Sequence, residues 1–164
     1  MTTVEKSAPG AILIASALIL GTALGSQYLG GLAPCELCIV QRWPYAAAIG
    51  LSLVALTAVR RPAARSVVVG LCGAAFAIGG AVAFYHLGVE EGWFQGPAGC
   101  SASAIDATTV EDLKRQLLAT PVIRCDEVQW SLMGLSLAGF NLIASAVLAA
   151  GCLFVAARSW RRAA

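Results

Sequence analysis

Four stretches of this chain carry no Asp, Glu, Lys or Arg: Ser7 to Cys35, Trp43 to Val59, Ser66 to Val89 and Val128 to Ala157. A helix rises about 1.5 Å per residue, so crossing a hydrocarbon core about 30 Å thick takes about 20 residues. Three of the runs exceed that length and the second just suffices. Buried helices of a soluble bundle would show polar faces at helical spacing, and these runs show almost none. Charged residues make up 12% of the chain and hydrophobic ones 59%, whereas a soluble domain is about a quarter charged. The sequence predicts an all-α membrane protein: a four-transmembrane-helix bundle in a single integral membrane domain over 1–164, with spans at about 10–29, 43–59, 66–88 and 131–157. A cleaved leader would account for the first run alone. Its single flanking Lys6 makes a poor basic n-region, and its removal would leave an odd number of spans.

The basic residues orient the bundle. Lys6, Arg60, Arg61, Arg65, Arg158, Arg161 and Arg162 gather on one side with only Glu5 against them. The other side has Arg42, Lys114, Arg115 and Arg124 against Glu36, Glu90, Glu91, Asp106, Glu111, Asp112, Asp126 and Glu127. Lys and Arg accumulate in cytoplasmic loops, so both termini and the "RRPAAR" turn are expected in the cytoplasm and the other two loops outside. The net charge of +2 then reflects topology, and no nucleic-acid partner is expected. Trp43, Trp93, Trp130 and Trp160 fall near span ends, where indoles prefer the headgroup level. In the third run Gly73, Ala77 and Ala81 recur at four-residue spacing, with Gly70, Gly79 and Gly80 nearby, a pattern that lets helix backbones approach closely in lipid. The long outer loop, from about Val89 to Glu127, opens with "GVEEGWFQGPAGC" and continues with "TTVEDLKRQLLATP". Thr108 and Glu111 have capping-box spacing, Pro121 stops the segment, and Val110, Leu113 and Leu117 share a face. A short amphipathic helix is expected there, lying on the membrane surface or packed on the spans.

Topology also sorts the six cysteines. Cys72 and Cys152 lie inside the third and fourth runs, where apolar surroundings make a thiol a small hydrophobe. Cys35, Cys38, Cys100 and Cys125 fall on the outer side, where an oxidising compartment would allow disulfides. Four cysteines admit three pairings, of which Cys35 with Cys38 and Cys100 with Cys125 is preferred for the resting state. A C-x-x-C is shared by redox and zinc sites. If the second span begins near Cys38, that sulfur lies beside unpaired amides at a helix N-terminus, which favours the thiolate. Arg42, four residues on, shares the helix face, so its guanidinium can reach an anion at Cys38. Snorkelling to the headgroups would also place an arginine there. Two thiol pairs on one outer face, one of them at the membrane boundary, suggest a relay by thiol–disulfide exchange. With no haem C-x-x-C-H and no flavin or nicotinamide fingerprint, a lipid-soluble electron acceptor beside Cys38 is the remaining choice.

Taken together, "PCELCIVQRW", "FYHLGVEEGWFQGPAGC" and "CDEVQWSLMGLSLAGFN" resemble the disulfide bond formation protein B family, DsbB, the quinone-linked membrane oxidases of bacterial oxidative folding. The likeness runs from about Ala11 to Ala157, and the relay from DsbA through DsbB to quinone is an established case of such exchange. The resemblance implies a thiol:quinone oxidoreductase of the bacterial inner membrane. Its partner would be a periplasmic thioredoxin-fold dithiol oxidase (DsbA-like), and its cofactor ubiquinone or menaquinone. By the same resemblance, the partner's thiol attacks the Cys100–Cys125 disulfide and becomes joined to Cys100. Cys125 then attacks Cys35 and opens the Cys35–Cys38 bond, and Cys38 meets the quinone as a thiolate with Arg42 steadying the charge. His86 stands where the family has a histidine beside the quinone and would donate a hydrogen bond or proton there; otherwise it sits among headgroups. Gln41 occupies a position where relatives can carry an acid, and it is given no proton role. Cys72 and Cys152 are outside the family pattern.

Three other readings compete. A vitamin K epoxide reductase-like oxidoreductase would carry its quinone-side C-x-x-C on a late helix, whereas here the motif precedes the second span. A non-enzymatic Cys₄ zinc site would use two closely spaced pairs, and Cys100 and Cys125 are far apart. A transporter would need polar groups inside the spans, to which only His86 and Asn141 come near.

Overall fold

The computed structural model describes residues 3–59, 61–97, 109–111, 114 and 123–163. Four of its helical segments are long and apolar enough to cross a membrane: Lys6–Tyr28, Glu36–Thr57, Pro62–Glu90 and Leu137–Arg162. Helix α1 is Thr3–Tyr28, the second crossing divides into α2 (Glu36–Val40) and α3 (Trp43–Thr57), α4 is Pro62–Glu90 and α5 is Leu137–Ala163. The division has a local cause. Pro44 has no amide hydrogen with which to continue the ladder to Val40. Gln41 and Arg42 therefore form a turn, and the Arg42 amide donates to the Ile39 carbonyl at 3.1 Å. The same proline suits the first turn of α3 because its fixed φ is already helical.

Helix α4 packs against both α3 and α5, and α1 packs mainly against α3. Ile12, Tyr45, Ala48, Val69, Cys72, Phe76, Ala149 and Cys152 form the core between them, so both mid-span cysteines are packing residues. A Cβ on Gly73 would stand 3.0 Å from Leu153 and 3.1 Å from Cys152, and one on Gly80 would stand 3.5 Å from Ser145. Gly70, whose Cβ would stand 3.6 Å from Ala156, joins Gly73 and Gly80 in the small-residue row facing α5, while Ala77 and Ala81, grouped with Gly73 by their spacing, are exposed. Helix geometry explains the correction. Each four-residue step advances about 40° around the axis and carries Ala81 off the interface, whereas a seven-residue step drifts only about 20°.

At its C-terminal end α4 closes in a turn at Gly92, whose φ is 74°. The amides of Trp93 and Phe94 both return to the Gly88 carbonyl, at 2.7 and 3.1 Å, and the Phe94 ring stacks on Tyr85. The fourth crossing starts later than 131 because Ser131–Leu132 and Leu135–Ser136 pair as an antiparallel hairpin, β1 and β2. Met133 and Gly134 at its tip both have positive φ, the type I′ arrangement that matches strand twist. This hairpin is the departure from an all-α fold among the described residues. Ser136 then caps α5, its hydroxyl accepting from the Gly139 amide at 3.2 Å, as N-cap serines do. The expected amphipathic helix falls mostly outside the described residues; Val110, Glu111 and Lys114 are helical.

Candidate functional site

Cys35 is the N-cap of α2: its backbone is extended, φ −73° and ψ 171°, and its sulfur accepts from the Cys38 amide at 3.3 Å. C-x-x-C spacing is the spacing from N-cap to N3, so the first cysteine takes the part that serine or aspartate usually plays. The sulfur at the helix start is therefore Cys35, not Cys38 as expected. Both are free thiols, and their sulfurs are 2.9 Å apart, well beyond a bond of about 2.05 Å. The expected resting disulfide between them is not the state of this structure; a hydrogen bond occupies the gap. That hydrogen bond is the main cause that lowers the Cys35 thiol from 9.0 to about 4, against burial, with His86 and the Cys38 amide helping.

His86, on α4, is buried at 3% exposure, so it does not sit among headgroups. Its Nε2 lies 3.6 Å from Cys35 Sγ and 3.9 Å from a Glu90 carboxyl oxygen one turn along. Its Nδ1 lies 2.7 Å from Gln41 Nε2. Cys125 is buried against Cys35, Leu37 and Val89 and is held in a disulfide. The sulfurs of Cys35 and Cys125 and a His86 ring nitrogen all lie within 4.8 Å of one another. Cys100 lies outside the described residues. Next to this cluster the exposed Arg124 forms two hydrogen bonds to Asp126, which hold the Asp126 carboxyl below its usual range.

Arg42 is placed differently from expectation. Its guanidinium donates to Gln27 Oε1 at 2.6 Å and to the Ala23 carbonyl at 3.4 Å, both on α1. The turn between α2 and α3 breaks the continuous helix that would carry its guanidinium to Cys38. Two of its five donors are engaged, which leaves donor capacity at the lip of the span. Cys38 is partly exposed at the same lip, flanked by exposed Ile39, Val40 and Trp43.

Sequence reasoning missed a set of polar residues behind His86. Gln41 is buried, and its Oε1 accepts from Asn141 Nδ2. Asn141 Oδ1 accepts from the Tyr45 hydroxyl at 2.5 Å, and that hydroxyl meets Ser145 Oγ at 2.9 Å. Ser136 donates to the Glu90 carboxyl. The available signal was the presence of an amide inside a membrane run, which is rare without a partner. It marked Asn141 and left its partners unspecified.

Two sulfurs and an imidazole in contact also make a zinc-type donor set. Here the Cys125 sulfur is bound in a disulfide, and a metal needs it as thiolate.

A family model described as Disulfide bond formation protein DsbB matches residues 5–155. The chain is 33% identical over 151 residues to disulfide bond formation protein B of Stutzerimonas stutzeri (strain A1501), covering 86% of this chain and 88% of the relative. It is 32% identical over 142 residues to the protein of the same name from Chromohalobacter salexigens, covering 83% and 81%. With that of Methylococcus capsulatus it shares 36% over 135 residues, covering 77% and 79%. No solved structure matches.

Proposed function

This chain belongs to the disulfide bond formation protein B (DsbB) family, and on that footing we propose that it is a thiol:quinone oxidoreductase of the bacterial inner membrane. It reoxidises a periplasmic thioredoxin-fold dithiol oxidase of the DsbA type and delivers the electrons to a membrane ubiquinone or menaquinone. The observation that carries this reading is the approach of two cysteines: the sulfurs of the disulfide-bonded Cys125 and of the free thiol Cys35 lie within 4.8 Å, with a His86 ring nitrogen as near to each. Exchange requires one sulfur to attack another directly, and this approach supplies the pair.

The order of steps follows. A partner thiolate bonds to Cys100 and frees Cys125. Cys125 attacks Cys35 and releases Cys38. The second partner thiol closes the partner's own disulfide by displacing Cys100, and Cys100 displaces Cys35 from Cys125. Two electrons and two protons have then passed from the partner dithiol to Cys35 and Cys38, and the Cys100–Cys125 bond is restored.

The residues at the lip fit a quinone: a partly exposed sulfur, an apolar rim of Ile39, Val40 and Trp43, and a cation with spare donors. Cys38 and Arg42 would hold it there, and when bound it supplies an acceptor for the two electrons and two protons of the dithiol. Arg42, anchored on Gln27, stabilises negative charge at that position. His86 stands on the exchange side, against Cys35.

The test mixes the purified protein in detergent with a reduced thioredoxin-fold dithiol oxidase and a soluble ubiquinone analogue, and follows quinone absorbance. Wild type consumes quinone, Cys38→Ser does not, and Cys100→Ser blocks electron entry from the partner while leaving Cys35 and Cys38 able to form their disulfide. Equal activity in either variant removes the order given above. The cluster of Cys35, His86 and Cys125 supports one second reading, a structural zinc site. Zinc recovered with the protein, and no quinone consumed, would favour it.

A further inference from the structure

The hydrogen bonds behind His86 have a direction. A glutamine amide nitrogen has hydrogens and no lone pair to offer, so Gln41 Nε2, 2.7 Å from His86 Nδ1, donates and Nδ1 accepts. The ring proton is then on Nε2, the nitrogen 3.6 Å from Cys35 Sγ. The glutamine is held in this orientation because its oxygen accepts from Asn141 Nδ2. Asn141 is held in turn because its oxygen accepts from the Tyr45 hydroxyl. Tyr45 has then used its hydrogen, so its oxygen accepts from Ser145. Every donor along Ser145, Tyr45, Asn141, Gln41 and His86 points the same way, toward Cys35.

We propose that Gln41, Asn141, Tyr45 and Ser145 are positioning residues that fix the Nε2–H tautomer of His86 and so present its hydrogen to Cys35 Sγ as that sulfur leaves Cys125. This rests on the reading of Cys35 and Cys38 as the inner redox pair. Reversing both amides would preserve each link while moving the ring proton to Nδ1, leaving a bare Nε2 facing Cys35. The surroundings oppose that reversal. A Glu90 carboxyl oxygen lies 3.9 Å from the same nitrogen, and Cys35 Sγ, 3.6 Å from it, already accepts from the Cys38 amide. Both call for a hydrogen on Nε2. Among the described residues, the titratable groups facing Cys35 are Cys38 on α2 and His86 and Glu90 on α4; Cys125 faces it as a disulfide.

The consequence is chemical. A sulfur stabilised as its thiolate is the better leaving group, and stabilising the reduced form makes the pair a stronger oxidant. Cys35 is the sulfur that Cys100 must displace from Cys125 to finish the exchange. The chain of amides and hydroxyls therefore favours passage of electrons inward, toward the membrane-side pair.

His86 is the only histidine, so ¹⁵N-histidine labelling of the full-length reduced protein in detergent reports this one ring without assignment. The expected spectrum has a hydrogen on Nε2 and none on Nδ1. A proton on Nδ1, alone or together with Nε2, overturns the proposal. The second measurement is the rate of iodoacetamide reaction at Cys35 against pH, resolved by peptide mass. Tyr45→Phe keeps the volume and removes the link to Asn141, and Asn141→Leu removes the amide. In both, the midpoint for Cys35 should move up by about one pH unit or more, with loss of the single tautomer. Unchanged midpoints in folded variants overturn the positioning role, and the wild-type spectrum decides the tautomer even if a variant fails to fold. Neither measurement uses partner or quinone. Failure of quinone reduction with these results intact would remove the proposed function and leave this inference standing.

Discussion

Cys35 shows how much one backbone position decides. As the N-cap of α2 it receives the Cys38 amide, and the hydrogen bond with Cys38 lowers its thiol to about 4. In the unfolded chain the same thiol titrates near its ordinary 9.0. Between these two values the unfolded state binds the extra proton, so stability rises with pH across that window. The contribution is complete above about pH 9 and is lost as pH falls toward about 4. The reduced protein should accordingly show a denaturation midpoint that climbs between pH 5 and 9, and Cys35→Ala should flatten that climb. Thermal melts of both proteins under reducing conditions check this. Parallel profiles would mean that Cys35 carries no such charge in the fold.

At the scale of elements, the interface of α4 with α5 depends on absent side chains. Leu at position 73 would have to displace Leu153 and Cys152, which already stand 3.0 to 3.1 Å from where a Cβ would be, and overpacking of this kind costs about 1–3 kcal/mol. Ala77→Leu, on an exposed face of the same helix, should be nearly neutral; equal losses in detergent-denaturation titrations would restore the Gly73, Ala77, Ala81 row that spacing suggested. Ser136→Ala removes the cap of α5 and the donor to Glu90, and should cost about 1 kcal/mol by the same titration. These cases separate what was legible in the sequence from what was not. Four crossings were readable because the absence of charge over a membrane's thickness admits few other folds. The order of Cys35 and Cys38 relative to the helix start was not, since that depends on where one turn of α2 begins. The break at Gln41 and Arg42 was signalled by Pro44, and the hairpin by the glycine in "SLMGLS", but both lie within apolar stretches where periodicity is silent. The neighbours of His86 come from the two caps of α2, from α4 and from the segment of Cys125, and no local pattern in a single chain links residues so far apart.

For the whole molecule, the two ends of the bundle are chemically different. Cys35, His86 and Glu90 gather at one end, where the hairpin is tied to Glu90 through Ser136. Arg61 and Arg65 at the start of α4 and Arg158, Arg161 and Arg162 at the end of α5 mark the other. By the positive-inside rule the arginine end is expected in the cytoplasm and the redox end in the periplasm. The proposed function requires this orientation, because a cytosolic glutathione pool would hold such thiols reduced and leave no net flow of electrons out of the partner. Met133 is 98% exposed at the hairpin tip, and Arg158 is exposed near the end of α5, so cysteines placed at these two positions should report opposite sides. A membrane-impermeant maleimide that adds a resolvable mass should modify Met133→Cys in intact spheroplasts beyond the background of the parent chain. Arg158→Cys should react only after the membrane is opened. The reverse pattern would put the redox end in the reducing compartment, and the reading of this chain as a source of periplasmic disulfides would fall with it.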